Sequence, residues 1–249
     1  MPDNRGRFRT SRPVNGGASR WEKAIQHDLH GRVAHLLATA ILRGDYAPDS
    51  ILPREAELME TFGVSRTVLR EALRTLTSKG LIESRPRVGT RVRPRHAWNL
   101  LDVDVLDWYS RVAEPMAFAL KLQEMREMIE PYAASLAAAS HDDATFPALE
   151  AAHAAMVAAR NVDEWVRADL QFHLSVLIAC SNELLIPLGT LIERTLEAQL
   201  RLNAKRADVF NASLAEHTAV FEAIRDRDAA AARAAMAGLL GVTRARIEA

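Results

Sequence analysis

Cysteine is almost absent from this sequence, which carries only Cys180 among 249 residues. One thiol excludes an internal disulfide framework and suits a reducing compartment, where Cys180 reads as a small core residue. No run approaches the roughly 18 apolar residues that a membrane-spanning helix needs, so no contact with a membrane is expected. The first residues lack the apolar stretch of a secretory signal, and the cytoplasm is the expected location. There is no phosphate-cradling GxxxxGK[ST] loop and no nucleophile set beside a base, which argues against an enzyme. Repeats, heptad arrays and low-complexity tracts are missing as well.

Net charge is also absent, but its even balance hides an asymmetry. Up to Arg95 the chain has 18 Lys and Arg against 10 Asp and Glu, leaving 14 against 22 for the remainder. A basic front coupled to an acidic rear is an electrostatic footprint for nucleic acid, because cations that displace condensed counterions supply most non-specific affinity. The plainer alternative is solvated charge distributed by chance. The length accommodates two cores of ordinary domain size.

The organisation follows from periodicity. Residues 1–20, with Arg5, Arg7, Arg9, Arg12 and Arg20 among Pro13, Gly16 and Gly17, read as a disordered basic arm. Residues 21–95 read as one domain. Ile25, Leu29, Val33, Leu36, Leu37, Ala40 and Ile41 predict a first helix from Trp21 to Gly44. A second is expected from Pro53 to Phe62, ended by Gly63, and a third from Ser65 to Gly80 with Leu69, Ala72, Leu73 and Leu76 buried. The alternation in LIESRPRVGTRV, Leu81 to Val92, predicts a two-stranded wing. Residues 96–104 read as a linker. From 105 to 249 an Ala- and Leu-rich pattern predicts an antiparallel bundle of six or seven helices, broken at Glu114-Pro115, Ser140 to Asp143, Asn161, Ser181-Asn182, Ala207 to Asn211 and Asp226 to Asp228. The fold class is therefore mainly α: a winged helix-turn-helix followed by an all-α bundle.

On the third helix Arg66 and Arg70 stand four apart and share a face, with Thr67 beside them and the leucine stripe turned away. That face suits a major groove: arginine bonds guanine O6 and N7 bidentately, while Ser65 and the helix N-terminus can hold phosphate. The run LPREAELMETFGVSRTVLREALRTLTSKGLIESRPRVGTRV resembles the winged helix of GntR-type regulators, with GVSRTVLREAL and the wing RVGTRV as its most specific parts. The resemblance implies that Arg66, Thr67, Arg70 and Gly89 approach double-stranded DNA, with Arg87 and Thr90 alongside them in the wing. It also exposes a departure: where the family usually has an arginine in the second helix, this chain has Ala56, and Arg54 is the neighbouring substitute.

In DEWVRADLQFHLSVLIAC, Asp169 and His173 share a helical face with Val166, Leu170, Val176 and Leu177, so both point inward. A buried carboxylate beside a buried imidazole must be paired, hydrogen-bonded or metal-bound. A satisfied core pair and a ligand site are equal readings at this stage. His217 in SLAEHTAVFEAI is flanked by apolar residues and is a third candidate. Arg126, with Glu130 one turn on, and Arg244 offer guanidinium forks for a carboxylate. The region from Leu106 to Ile247 resembles the FCD effector domain of the FadR branch of the GntR family. That resemblance implies that Asp169, His173 and His217 match metal-binding positions, that Arg126 faces the effector cavity, and that a further histidine falls where Leu239 stands. A three-ligand site for a divalent metal, zinc first, and a metal-free site that hydrogen-bonds the effector directly both remain open.

The two resemblances together imply a homodimeric repressor that leaves a pseudo-palindromic operator when a small organic acid binds. The junction RPRHAWNLLDVDVLDWY, the Glu55-Ala56-Glu57 variant and Leu239 resemble galactonate-responsive members, which makes sugar acids, aldonates above all, the leading effectors. Another small carboxylate (uronate, dicarboxylate or amino acid) is the alternative effector, and a DNA-tethered, metal-dependent hydrolase is the alternative in kind.

Overall fold

A computed structural model describes residues 20–194 and 212–248. The expected basic arm and the expected break near Ala207 to Asn211 lie outside the described residues. The chain divides into two compact units, one ending at Trp98 and one beginning at Asn99.

In the first unit, α1 (Arg20–Arg43) buries Val33, Ala34, Leu37, Ala38, Ile41 and Leu42. Leu36, counted above with the inward set, is instead exposed, because the stripe is carried by the i, i+1, i+4 rows through Val33 and Leu37. The second helix, α2 (Glu55–Phe62), starts later than its proline suggests. Pro53 lies outside it, Arg54 is the extended cap residue, and the Arg54 backbone N–H donates to the Glu57 carboxylate at 3.0 Å. Gly63, at φ 63°, closes α2 in the left-handed region, which a residue with a Cβ enters only at a cost. Ser65 then caps α3 (Arg66–Ser78), its hydroxyl accepting from the Val68 N–H at 3.4 Å. Val68, Leu69, Ala72, Leu73 and Leu76 form the buried face of α3, leaving the arginines outside.

The wing is an antiparallel pair, β1 (Ile82–Arg85) and β2 (Gly89–Val92), in register Ile82 to Val92 and Arg85 to Gly89. A third segment widens it: the Leu52 N–H donates to the Thr90 carbonyl at 2.8 Å and the Val92 N–H to the Ser50 carbonyl at 2.9 Å. Trp98, which the sequence pattern assigned to the linker, is buried, with its indole N–H on the Arg93 carbonyl at 2.8 Å.

The second unit is helical throughout: α4 (Val103–Val112), α5 (Pro115–Ser140), α6 (Phe146–Ala158), α7 (Val162–Ala179), a short 3-10 turn (Ile186–Leu188) leading into helix over 189–194, then α8 (Leu214–Arg225) and α9 (Ala229–Glu248). Polar caps set the starts, with Asp102, Glu114 and Asn161 accepting from backbone N–H groups in the first turns of α4, α5 and α7. The alanines Ala133, Ala134, Ala137 and Ala138 let α5 lie close against its neighbours, α9 foremost. Phe172, Val176, Leu177, Ile224, Met236, Leu239 and Leu240 fill the space between the helices. Among the described residues, no helix is long and apolar enough to cross a membrane.

Candidate functional site

Two sets of polar side chains stand out, one in each unit. On the first unit Arg66, Thr67 and Arg70 all project from the exposed face of α3, as the four-residue spacing requires. Arg74 continues the row and was missed in the sequence reading, although the same spacing marks it. Arg54 is exposed at the start of α2. The Ser65 hydroxyl is committed to its cap. At the wing tip Arg87, at φ 65°, and Gly89, at φ 120°, both hold left-handed backbone, and Thr90 is half-buried opposite Ser84. Sequence spacing gave no sign that the Arg70 Nε is held by Glu55 of α2, with its two carboxylate oxygens at 3.2 and 3.4 Å.

The second unit buries five polar side chains together. Arg126 and Glu130 come from one face of α5, Asp169 and His173 from one face of α7, and His217 from α8, all of them buried. The Arg126 Nε donates to Glu130 Oε1 at 2.6 Å, and its Nη2 lies 3.0 Å from His173 Nε2. A guanidinium only donates, so that imidazole nitrogen accepts and the ring proton sits on Nδ1, 2.5 Å from Glu130 Oε2. His217 Nδ1 donates to the Ser213 carbonyl at 2.7 Å, which turns Nε2 toward Asp169 Oδ1 at 2.8 Å.

The charges balance only as a group. Burial works to raise the Glu130 carboxyl, but Arg126 and His173 outweigh it and hold its pKa at about 2. Burial also opposes ionisation of Asp169, and the imidazoles of His173 and His217 bring it well below the usual carboxylate range. For His173 burial pushes the pKa down, Glu130 pulls it up, and the balance lies above the ordinary value. The Arg126 contact opposes that rise, since a second ring proton on Nε2 would face a guanidinium donor.

The cluster fits a divalent cation. Asp169 Oδ1 and His217 Nε2 are buried without an aligned hydrogen-bond partner, and one ligand atom each from Asp169, His173 and His217 lies within 4.8 Å of the others; with its Nδ1 proton turned to Glu130, His173 would offer Nε2 once Arg126 released it. With its Nδ1 proton on Ser213, His217 presents a lone pair to a carboxylate oxygen, an arrangement that calls for a cation or a further proton between them. Leu239, which stands where a further histidine would fall, is packed into the apolar core, so the described residues offer three ligands.

A small pocket of about 10 Å³, room for roughly one water molecule, opens beside the cluster. Arg126 and Glu130 form its polar end, while Ile129, Leu177, Leu188, Leu191 and Ile192 form an apolar wall. The structure does not bring Arg244 to this site. Its Nε and Nη2 pair bidentately with Glu127 at 2.9 and 2.7 Å, on a different face of α5 from Arg126.

Comparison with known proteins agrees with both halves. Residues 29–92 match the family model described as bacterial regulatory proteins, gntR family, and residues 121–241 match the FCD domain. The galactonate operon transcriptional repressor of Escherichia coli is 34% identical over 220 residues, covering 87% of this chain and 96% of the relative. An uncharacterized HTH-type transcriptional regulator of Escherichia coli, YieP, is 38% identical over 68% of this chain and 74% of its own length. Among solved structures, Lar, which controls the Listeria monocytogenes agr system, shares the fold at 18% identity with a TM-score of 0.58, over 88% of this chain and 96% of that one.

Proposed function

The chain belongs to the GntR family of bacterial transcriptional regulators, with an FCD domain behind its DNA-binding module, and from that premise we propose a homodimeric repressor of a carbohydrate-acid operon that a sugar acid releases from DNA. Family membership makes it a DNA-binding regulator and not an enzyme. In this reading Arg66, Thr67 and Arg70 enter the major groove. Ser65 and Arg54 lie at the phosphates, and Arg87, Gly89 and Thr90 bring the wing to the duplex. The effector carboxylate pairs with Arg126, and its hydroxyls meet Glu130, Asp169, His173 and His217. Arg244 is left out of that set, because Glu127 occupies its fork.

The observation that carries the effector reading is the buried cluster itself. Two of its atoms, Asp169 Oδ1 and His217 Nε2, face each other at 2.8 Å without an aligned hydrogen bond, in a place where an unmet polar atom is costly. Asp169, His173 and His217 would hold a divalent cation, zinc first, and such an ion supplies Lewis-acid positions for the oxygens of a hydroxy acid. Arg126 must exchange its contacts with Glu130 and His173 to grip a carboxylate bidentately, so binding rearranges α5 against α7. The choice of an aldonate rests on the repressor of the galactonate operon, which resembles the chain over most of its length. A smaller or less hydroxylated carboxylate is favoured by one feature, the apolar wall of the pocket.

The test is fluorescence anisotropy of the full chain on duplex DNA from upstream of its own gene. Galactonate is expected to lower affinity by ~5–150-fold, the usual range of allosteric coupling. Tighter binding in its presence would mean a co-repressor mechanism, and no effect from galactonate alongside an effect from a shorter acid would move the chain to the second reading.

A further inference from the structure

The recognition face carries a carboxylate where phosphate repulsion disfavours one. Glu55, the first residue of α2, reaches across to α3, where its two oxygens meet the Nε of Arg70 at 3.2 and 3.4 Å. Among the described residues Glu55 has no other side-chain partner, and the two terminal nitrogens of Arg70 have none. The pair is exposed, with 63% of the Arg70 side chain and 39% of the Glu55 side chain accessible, so it contributes little to the stability of the fold. Its consequence is orientation. A guanidinium held at Nε keeps its outer edge, Nη1 and Nη2, in one plane pointing away from α2, and that edge is a bidentate donor for guanine O6 and N7.

Resting on the DNA-binding reading above, we propose that Glu55 is a positioning residue for base recognition. By holding the Nε of Arg70, it keeps that arginine off the phosphates and commits its outer edge to one base pair in each half-site. Docking strengthens the device. Excluding water from the groove raises the cost of leaving Glu55 unpaired, so Arg70 cannot rotate to a phosphate without stranding a carboxylate. Arg66, which has no such partner among the described residues, keeps the freedom to contact backbone or base.

The experiment is selection of full-length protein on a randomised duplex library, followed by anisotropy titrations over a range of salt, for wild type, Glu55→Ala, Glu55→Gln, Arg70→Ala and Arg70→Lys. Thermal melts of each variant check the fold. Glu55→Ala and Arg70→Ala are expected to lose preference, by about tenfold or more, at the same base pair. Glu55→Ala is also expected to bind unrelated DNA more tightly, with a salt dependence steeper by about one unit as the released arginine finds a phosphate. Glu55→Gln keeps an acceptor for Nε and should retain the preference. Arg70→Lys keeps the charge but not the fork and should lose it, which gives a test that does not depend on altering α2. Wild-type preference in Glu55→Ala overturns the proposal, as does preference lost in Glu55→Ala but kept in Arg70→Ala, since Glu55 would then read the base itself. If wild-type protein enriches no sequence, the DNA-binding reading falls, and this inference with it.

Discussion

Arg66 and Arg70 sit one turn apart on α3 and differ in what restrains them, so their alanine variants report different things. Replacing Arg66, which has no protein partner among the described residues, removes the DNA contact proposed for it and no contact within the protein. Its loss should weaken operator binding by ~1–3 kcal/mol and leave the melting temperature unchanged; an unaltered titration would exclude Arg66 from the interface. In the bundle, Ser213 fixes the tautomer of His217, one of the three candidate ligands. Protein purified without a His tag should contain about one zinc per chain by elemental analysis, and His217→Ala should lose it. No metal in wild-type protein after zinc supplementation would leave the direct hydrogen-bonding version of the site. The Arg244–Glu127 pair has a structural consequence instead. The Arg244 side chain hydrogen-bonds Glu127 and lowers its carboxyl pKa. A depressed carboxylate stabilises the fold above its unfolded pKa, and that contribution disappears as pH falls through the lower, folded value. Arg244→Gln should therefore destabilise the fold near neutral pH and progressively less as pH falls through the carboxylate range, read by chemical denaturation across the acid range. A cost that does not change with pH would show that the residue acts by packing alone.

At the scale of the element, local chemistry was legible and cross-helix chemistry was not. Ser65, Asn161 and the Glu114-Pro115 pair mark helix starts because a cap needs only its own first turn, and all three do so in the structure. Ser65→Ala should cost about 1 kcal/mol of the first unit's stability, whereas no change in its denaturation midpoint would show that the cap is dispensable. Pairs four apart on one helix, Arg126 with Glu130 and Asp169 with His173, were readable for the same reason. What sequence spacing could not give is which face meets which. Arg244 was a candidate for the effector cavity, but packing of α9 along α5 sets it against Glu127, one residue and about a quarter turn from Arg126. The bond from Arg70 to Glu55 spans two helices and was invisible for that reason. Pro131, buried inside α5 beside Glu130, deprives the Glu127 carbonyl of its helical donor, yet the helix continues through it, as breaks read at Glu114-Pro115 and Ser140 to Asp143 with none between them imply. Leu239 tests the site from α9. Leu239→His should lower the melting temperature in metal-free buffer, because an imidazole replaces core leucine, and zinc should raise it more than it does for wild type. Equal zinc effects on both proteins would place position 239 away from the cluster.

For the whole molecule, the proposed regulation is a free-energy coupling between two compact units. In that proposal neither unit suffices alone: the winged helix has the exposed cations, and the bundle has the buried polar cluster beside a small pocket. If an acid in the bundle lowers operator affinity, the operator must lower acid affinity by the same factor, because both routes connect the same four states. This reciprocity separates true coupling from an acid that simply competes with phosphate for the arginines of α3. A competitor would also displace DNA, but its effect would survive substitution of the buried cluster. Full-length wild type should therefore bind galactonate ~5–150-fold more weakly by calorimetry when saturated with operator duplex, and Arg126→Ala should abolish both the binding and the release of DNA while leaving operator affinity intact. Release of DNA by galactonate from Arg126→Ala at wild-type concentrations would assign the effect to the DNA-binding face and remove the bundle from the mechanism.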